Sequence, residues 1–335
     1  MVRSLLVFLI LFIGSFAGAE VIEIPLSFNS ADSTQLSGTL TLPDRMVGKK
    51  YPCVLLLPGS GPTDRDGNQT PSLMVDLLKQ VAQSYAAAGI ASFRFDKRAA
   101  HVNQLKWPTN PSKLPEFFSW KNHINDVEAA YHAFNAQPQI DVKRLAILGH
   151  SEGGLLALVS AVQLRPKALI LIGTAGRTLG DVLTEQISNL LDQQQATPQV
   201  KAEYLKKNRE IQDFISKNGS VPDGVPPGLK ALFPKSAVLF LRDVLKLDPK
   251  PYAKRFSGSV LVMNGEMDKQ VSPDKDAKLL YSMLSARRNL KQELFVVPKA
   301  SHNLKPVSSA LEAGITGPIS DEAKSKLATW TTGSL

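Results

Sequence analysis

One serine lies among glycines in the stretch Gly149-His150-Ser151-Glu152-Gly153-Gly154. The apolar run Leu145-Ala-Ile-Leu148 leads into it, and Leu155-Leu-Ala-Leu-Val-Ser160 follows. The pattern reads as a strand, a tight turn and a buried helix, with Ser151 at the tip of the turn. Glycines two positions either side let the strand and helix backbones crowd together. That crowding drives the serine into a strained, exposed position suited to nucleophilic attack. A serine hydroxyl is a poor nucleophile at neutral pH. It requires a base, and the base requires a carboxylate to orient it.

In an open parallel sheet, reactive groups gather at the carboxyl ends of the strands. Of the five histidines, His302 follows the last apolar run, Glu293-Leu-Phe-Val-Val297, and is the expected base. His123 and His132 fall on a helical stretch, His150 precedes the serine and is expected to point away from it, and His101 follows an earlier strand end. For the carboxylate, Asp268 sits in the turn after Ser259-Val-Leu-Val-Met-Asn264. Glu266 is still close to that strand, and Asp274 opens the next helix, where an acid commonly serves the helix N-terminus. Asp268 is therefore the expected acid. Attack on a carbonyl also requires two N–H donors aimed at the developing oxyanion. The backbone N–H of Glu152 is one, and the loop after Leu57 supplies the other, assigned to Ser60. In that loop, Asp64, Arg65 and Asp66 could bind substrate, but are read rather as bracing residues that hold it by turn and ion-pair contacts.

Several elements must carry these groups. Val21–Phe28 and Gln35–Leu42 read as a hairpin, Tyr51–Leu57 and Ile90–Phe95 as strands, and Leu73–Ala88 and Trp120–Phe134 as helices. Tyr51–Leu57 shows almost no polar alternation, as a strand covered on both faces should. Ala168–Ile172 is a further strand. After it the alternation of strand and helix stops, and helices are read at 181–195, 204–215 and 236–247, with a linker at 221–228. It resumes with Ser259–Asn264, a helix at Asp274–Ala286, the strand Glu293–Val297 and a last helix at Ser320–Trp330. The expected class is α/β, a mostly parallel central sheet with antiparallel N-terminal strands and an inserted helical cap. The expected divisions are 1–19 as a leader, 20–176 and 258–335 as two parts of one core, and 177–257 as the cap, whose apolar residues form a core of their own.

The chain has 335 residues, of which 43% are hydrophobic, enough for a large core. Arg3, the apolar run Leu5–Ile13 and Ala17-Gly18-Ala19 form an export-signal pattern cleaved near Ala19, so the expected address is periplasmic or secreted. Cys53 is the single cysteine and lies in an apolar run. This excludes an intramolecular disulfide and a cysteine metal cluster. The formal net charge is +9, with scattered rather than clustered cations. No nucleic-acid module is seen; the charge reads as a solvated basic surface, with attraction to an anionic membrane surface as the alternative, which nothing in the sequence indicates. The Pro58–Asn68 loop lacks the lysine of a phosphate-binding loop and the third glycine of a dinucleotide fingerprint. No cofactor or metal is called for by this set of residues, and the expected partner is a small-molecule substrate.

The stretch Leu57-Pro-Gly-Ser-Gly-Pro-Thr-Asp-Arg-Asp-Gly67 resembles a group of bacterial α/β-hydrolase esterases filed with serine aminopeptidase S33-like hydrolases. Phe95-Asp-Lys-Arg98, Gly149–Gly154, Asn264-Gly-Glu-Met-Asp-Lys-Gln-Val271 and Ala300-Ser-His302 extend the resemblance from about residue 20 to the C-terminus. It implies Ser151 as nucleophile, Asp268 as acid, His302 as base, Ser60 and Glu152 as oxyanion donors, and a helical cap over the site. It implies carboxylesterase activity on short acyl esters. Aminopeptidase-like, lipase or thioesterase activity on the same residues, and a non-catalytic binding role, are the alternatives. The family's glycine-rich continuation after Asp-Lys-Arg is replaced here by Ala99-Ala100-His101, so the loop beside it is expected to be shaped differently.

Overall fold

The computed structural model describes residues 21–44, 48–284 and 291–335. The leader at 1–19 lies outside them. β1 (Ile22–Asn29) and β2 (Gln35–Leu42) form the antiparallel hairpin, with Ile22 opposite Leu42 and Asn29 opposite Gln35. β2 runs antiparallel to β4 (Ala91–Phe95). From there every pairing is parallel, through β3 (Tyr51–Leu57), β5 (Ile140–His150), β6 (Ala168–Ile172), β7 (Ser259–Gly265) and β8 (Gln292–Val297). The eight strands lie in the order β1-β2-β4-β3-β5-β6-β7-β8.

Successive side chains of a strand point to opposite faces, so a strand covered on both sides must be apolar throughout. β3 shows this: Cys53, Leu55 and Leu57 enter one core layer, and Val54 and Leu56 enter the other. The first layer is closed by α3 (Trp120–Asn135), α4 (Glu152–Leu164) and α10 (Lys278–Leu284). The second is closed by α1 (Leu77–Ala87) and α11 (Asp321–Thr332). The Cys53 thiol is buried in the first layer, and burial pushes its pKa well above the ordinary thiol value.

Between β4 and α3 the chain makes short helical turns, among them α2 (Leu114–Phe117). Between β6 and β7 it is helical: α5 (Leu179–Gln193), α6 (Pro198–Asn218), α7 (Pro227–Lys230), α8 (Val238–Val244) and α9 (Lys250–Arg255). Thr197 caps α6 and accepts from Val200 N, Pro198 opens its first turn, and Gly219 closes it with φ 62°. Ile187, Leu191, Ile211, Ile215, Phe233 and Leu241 form a separate core within the insert. Phe240 of α8 docks it on α3, edge-on to Trp120 and His123 at 5.6 and 5.4 Å.

Several helix boundaries differ from the sequence reading, among them the start of α6, read at Tyr204 and found at Pro198, where Thr197 caps it. The helix expected from Leu73 begins at Leu77, because Leu73 pairs with Gln69 and the Asn68 side-chain oxygen Oδ1 takes the N–H groups of Val75 and Asp76. The helix expected at Asp274 opens with a wide turn over Pro273–Ala277 before α10, and its end at Ala286 lies outside the described residues. The 221–228 linker gives way at Pro227 to α7.

Candidate active site

The site forms at the carboxyl ends of β3 to β8. At the end of β5, Ser151 takes φ 55° and ψ −119°, a region that side chains rarely adopt. Its N–H donates to Ile172 O of β6 at 2.8 Å. The glycines explain how the turn closes. A Cβ on Gly149 would lie 2.1 Å from Gly153 O, and one on Gly153 2.4 Å from Leu57 O. One on Gly154 would lie 1.9 Å from Thr174 Oγ1. Strand, helix and neighbouring loop approach too closely for any larger residue at these positions.

His302 lies on a loop tied back on itself. Ser301 N donates to Lys305 O, Leu304 N to Ser301 O, and Val307 N to Lys299 O. Its Nδ1 is 2.7 Å from Asp268 Oδ2, and both side chains are buried. Asp268 Oδ1 accepts from the N–H groups of Gln270 and Val271 at 2.8 and 2.9 Å, and Asn264 Nδ2 reaches Oδ2 at 3.3 Å. A carboxylate so fixed accepts the Nδ1 proton of His302 and leaves its Nε2 lone pair to act as a base.

The imidazole rests on Gly173, where a Cβ would lie 2.9 Å from His302 Cε1 and 3.6 Å from Asp268 Oδ2. Gly173 follows Ile172, which holds Ser151. The end of β6 therefore brings Ser151, His302 and Asp268 together. Among the described residues the Ser151 hydroxyl forms no hydrogen bond, and the backbone N–H groups of Ser60 and Glu152 donate none.

The Glu152 side chain has a role the sequence reading did not give it. Its Oε1 is 2.7 Å from Lys97 Nζ, and that Nζ also donates to Gly59 O at 3.0 Å. Each residue of Asp96-Lys-Arg98 thus has a structural partner. Asp96 takes the Arg65 N–H and guanidinium, Lys97 holds Glu152 and Gly59, and Arg98 holds Asp126 and Asp32. The bracing reading of Asp64, Arg65 and Asp66 agrees with these contacts. Asp64 Oδ1 accepts from Asp66 N and Asn68 N, and Asp66 pairs with Arg94 at 2.8 Å.

The other acids and histidines fall elsewhere. Glu266 accepts from Lys299 N, and Asp274 is an exposed partner of Lys278. His101 meets Thr70 O, and His123 is buried under Phe240. His150, expected to point away from Ser151, turns its ring toward His302, with the two ring centroids 4.7 Å apart. Turned inward at the end of β5, it fills the space between Gly59 and the His302 loop.

The sequence reading also missed Asp276. Fully buried, it accepts from Gly176 N, Arg177 N and Ser272 N and pairs with Arg177 Nη2 at 2.7 Å. This ties the start of the insert to the segment after Asp268. Helix α5 reinforces the tie, with Gln186 Nε2 on Gln270 O at 2.9 Å and Asn189 Nδ2 on Lys269 O at 3.3 Å. Ser272 is local, but no local pattern marks Asp276 as a tie to the insert, because Gly176 and Arg177 are about a hundred positions away.

A cavity of about 740 Å³ opens at the other end of the sheet, lined by Arg165, Lys167, Lys254 and Arg255 among others. It is remote from Ser151. Its cations cluster where α4 and α9 end, and there they offset the negative C-terminal ends of the two helices.

Residues 75–305 match the family model described as serine aminopeptidase, S33. The chain belongs to this family. Among curated proteins, esterase EstD of Thermotoga maritima is 27% identical over 273 residues, 81% of this chain and 59% of EstD. The chain thus spans about three fifths of the length of that relative. Among solved structures, an esterase of Pyrococcus furiosus aligns with a TM-score of 0.56 at 13% identity, covering 95% of this chain and 91% of that one. Est1E from Butyrivibrio proteoclasticus aligns at 0.57 and 12% identity, covering 92% and 98%. Both likenesses concern the fold, which is that of the α/β-hydrolases, as the family resemblance implied.

Proposed function

We propose that the protein is a serine hydrolase of carboxylic esters, acting through Ser151, His302 and Asp268. The observation that carries this reading is that two features lie against adjacent residues at the end of β6, Ile172 and Gly173. One is a serine held at positive φ on a strand-to-helix turn, and the other is a buried histidine whose Nδ1 is bound by a carboxylate. The relationship to a protein named an esterase favours an ester over a peptide bond as the target.

In this mechanism Ser151 Oγ attacks the acyl carbonyl while His302 Nε2 takes its proton. Asp268 holds the imidazole and offsets its positive charge. The backbone N–H groups of Ser60 and Glu152 receive the oxyanion. His302 returns the proton to the departing alkoxide, which leaves as an alcohol. Water, deprotonated by the same histidine, then attacks the acyl-enzyme; His302 returns that proton to Ser151 Oγ as the acid is released and the serine is regenerated. The helical insert at 177–257 forms the cap over this chemistry. The leader pattern ending at Ala19 directs the chain to export.

The test is labelling by a fluorophosphonate probe, beside Ser151→Ala. Wild-type labelling that the alanine variant loses is the expected result, and equal labelling of the two rules out Ser151 as the nucleophile. A chain-length series of p-nitrophenyl esters is then run against aminoacyl nitroanilides. Short-chain esters are expected to be turned over and the anilides left intact, whereas faster cleavage of the anilides would make the enzyme a peptidase.

A further inference from the structure

His150 is placed where it touches both halves of the site without being one of the reacting groups. It is the last residue of β5, and its side chain is buried. Nε2 lies 3.2 Å from the backbone oxygen of His302, which can only accept, so the His150 proton resides on Nε2. The two imidazole rings lie 4.7 Å apart at 48°. On the opposite side the ring closes on Gly59, where a Cβ would sit 3.2 Å from His150 Nδ1 and 3.4 Å from Ser151 Cβ. The residue is therefore a wedge between the Gly59-Ser60 segment and the His302 loop, set one position before Ser151.

We propose that His150 is a positioning residue for the reaction: its Nε2–H holds the backbone of the His302 loop, and its ring forms the wall that sets the His302 imidazole beside Ser151. The kinetic consequence rests on the esterase reading above, and the structural one does not.

Two further observations support the assignment. The loop bearing His302 follows β8, at the edge of the sheet, so a contact from β5 fixes it from the interior side. Burial, followed by the proximity of His302, holds the His150 imidazole down to about 3, and among the described residues His302 is the titratable group acting on it. His150 thus stays neutral when His302 takes up the serine proton, and the wall places no second positive charge against the imidazolium. An aliphatic side chain would fill the space but leave the His302 carbonyl without its donor.

The experiment compares wild type with His150→Phe, which keeps a ring and loses the donor, and His150→Gln, which keeps a donor and loses the ring. Two readouts are taken. Downfield proton NMR follows the His302 Nδ1 proton bound to Asp268, and steady-state kinetics on p-nitrophenyl butyrate separates kcat from KM. In His150→Phe the downfield resonance is expected to broaden away and kcat to fall at least about tenfold, with KM changed less than about twofold. In His150→Gln the resonance is expected to return, with kcat within about threefold of wild type. Retention of both readouts in His150→Phe, or equal impairment of the two variants, overturns the proposal. If circular dichroism shows that His150→Phe does not fold, His150→Leu takes its place against His150→Gln. If wild type hydrolyses no ester, the esterase reading falls and the NMR comparison still decides whether His150 positions His302.

Discussion

Lys97 and Glu152 form an ion pair closed off from solvent, Nζ to Oε1 2.7 Å, with each side chain 5% exposed. Lys97 follows β4, Glu152 follows β5, and β3 lies between those strands with Gly59 just beyond its end. One ammonium therefore bridges three adjacent strand ends, since it also donates to Gly59 O. The bridge joins the two segments whose N–H groups receive the oxyanion in the proposed mechanism. In that mechanism Glu152 would act at once through its backbone N–H and through a carboxylate that, by way of Lys97, holds the opposite donor loop in place.

Removing one partner leaves a buried charge uncompensated, which costs roughly 3–5 kcal/mol, whereas removing both partners costs less. Lys97→Met is therefore expected to destabilise the protein strongly, and Lys97→Met with Glu152→Gln to recover part of the loss. Urea unfolding of the single and double variants measures this. If the double variant is no more stable than Lys97→Met, the pair is not the main contact that Lys97 makes.

The four hydrogen bonds on the Asp268 carboxylate fix both its charge and its direction. Asp268→Asn keeps the shape but can offer its amide N–H to His302 Nδ1, which moves the imidazole proton to Nε2 and removes the base. kcat on a p-nitrophenyl ester should fall on the order of 10³–10⁴-fold, with KM and melting temperature little changed. A loss below about tenfold would mean that Asp268 does not govern the tautomer.

How much of this was readable in advance depends on whether the cause is local. The glycines around Ser151 are dictated by contacts within a few residues and with the adjoining strand, so the turn was legible from its own sequence. Asp268 and His302 were legible because each follows directly on an apolar strand. The partners of Asp96, Lys97 and Arg98 were not, because they lie 28 to 66 positions away. They meet only once the strands adopt the order β4-β3-β5, and no single stretch encodes that order. The start of α1 failed for a related reason: Asn68 captures the amides that Leu73–Asp76 would need to begin a helix, and its side chain can be placed only after the preceding loop has folded.

Two histidines make stability depend on pH. Burial lowers the pKa of His123, aided by the nearby Lys97, and holds His150 down to about 3. An unfolded histidine titrates near 6.5. Below about pH 6.5 the unfolded chain therefore binds protons that the folded protein refuses, and stability falls as pH falls through this window. Each group contributes a slope of up to about 1.4 kcal/mol per pH unit. Urea midpoints taken from about pH 7 to about pH 5 should decline, and less steeply in His150→Gln or His123→Gln. An unchanged slope in both variants would show that other groups set the acid limit.

The last prediction separates clashes with side chains from clashes with backbone. A Cβ on Gly154 meets Thr174 Oγ1 at 1.9 Å, Cγ2 at 2.7 Å and Cβ at 2.8 Å; Thr174→Ala removes the two tightest of these and keeps the third. A Cβ on Gly149 meets the Gly153 carbonyl at 2.1 Å, and no side-chain substitution can remove that atom. Gly154→Ala should cost roughly 1–3 kcal/mol, as overpacking generally does, and lose part of that penalty in the Thr174→Ala background. Gly149→Ala should cost more and be insensitive to that background. A double-mutant cycle by urea unfolding tests both at once. If Thr174→Ala fails to relieve Gly154→Ala, helix α4 is held against β6 by something other than the fit of these two residues. The glycine at 154 would then be required for the turn geometry of Ser151 itself.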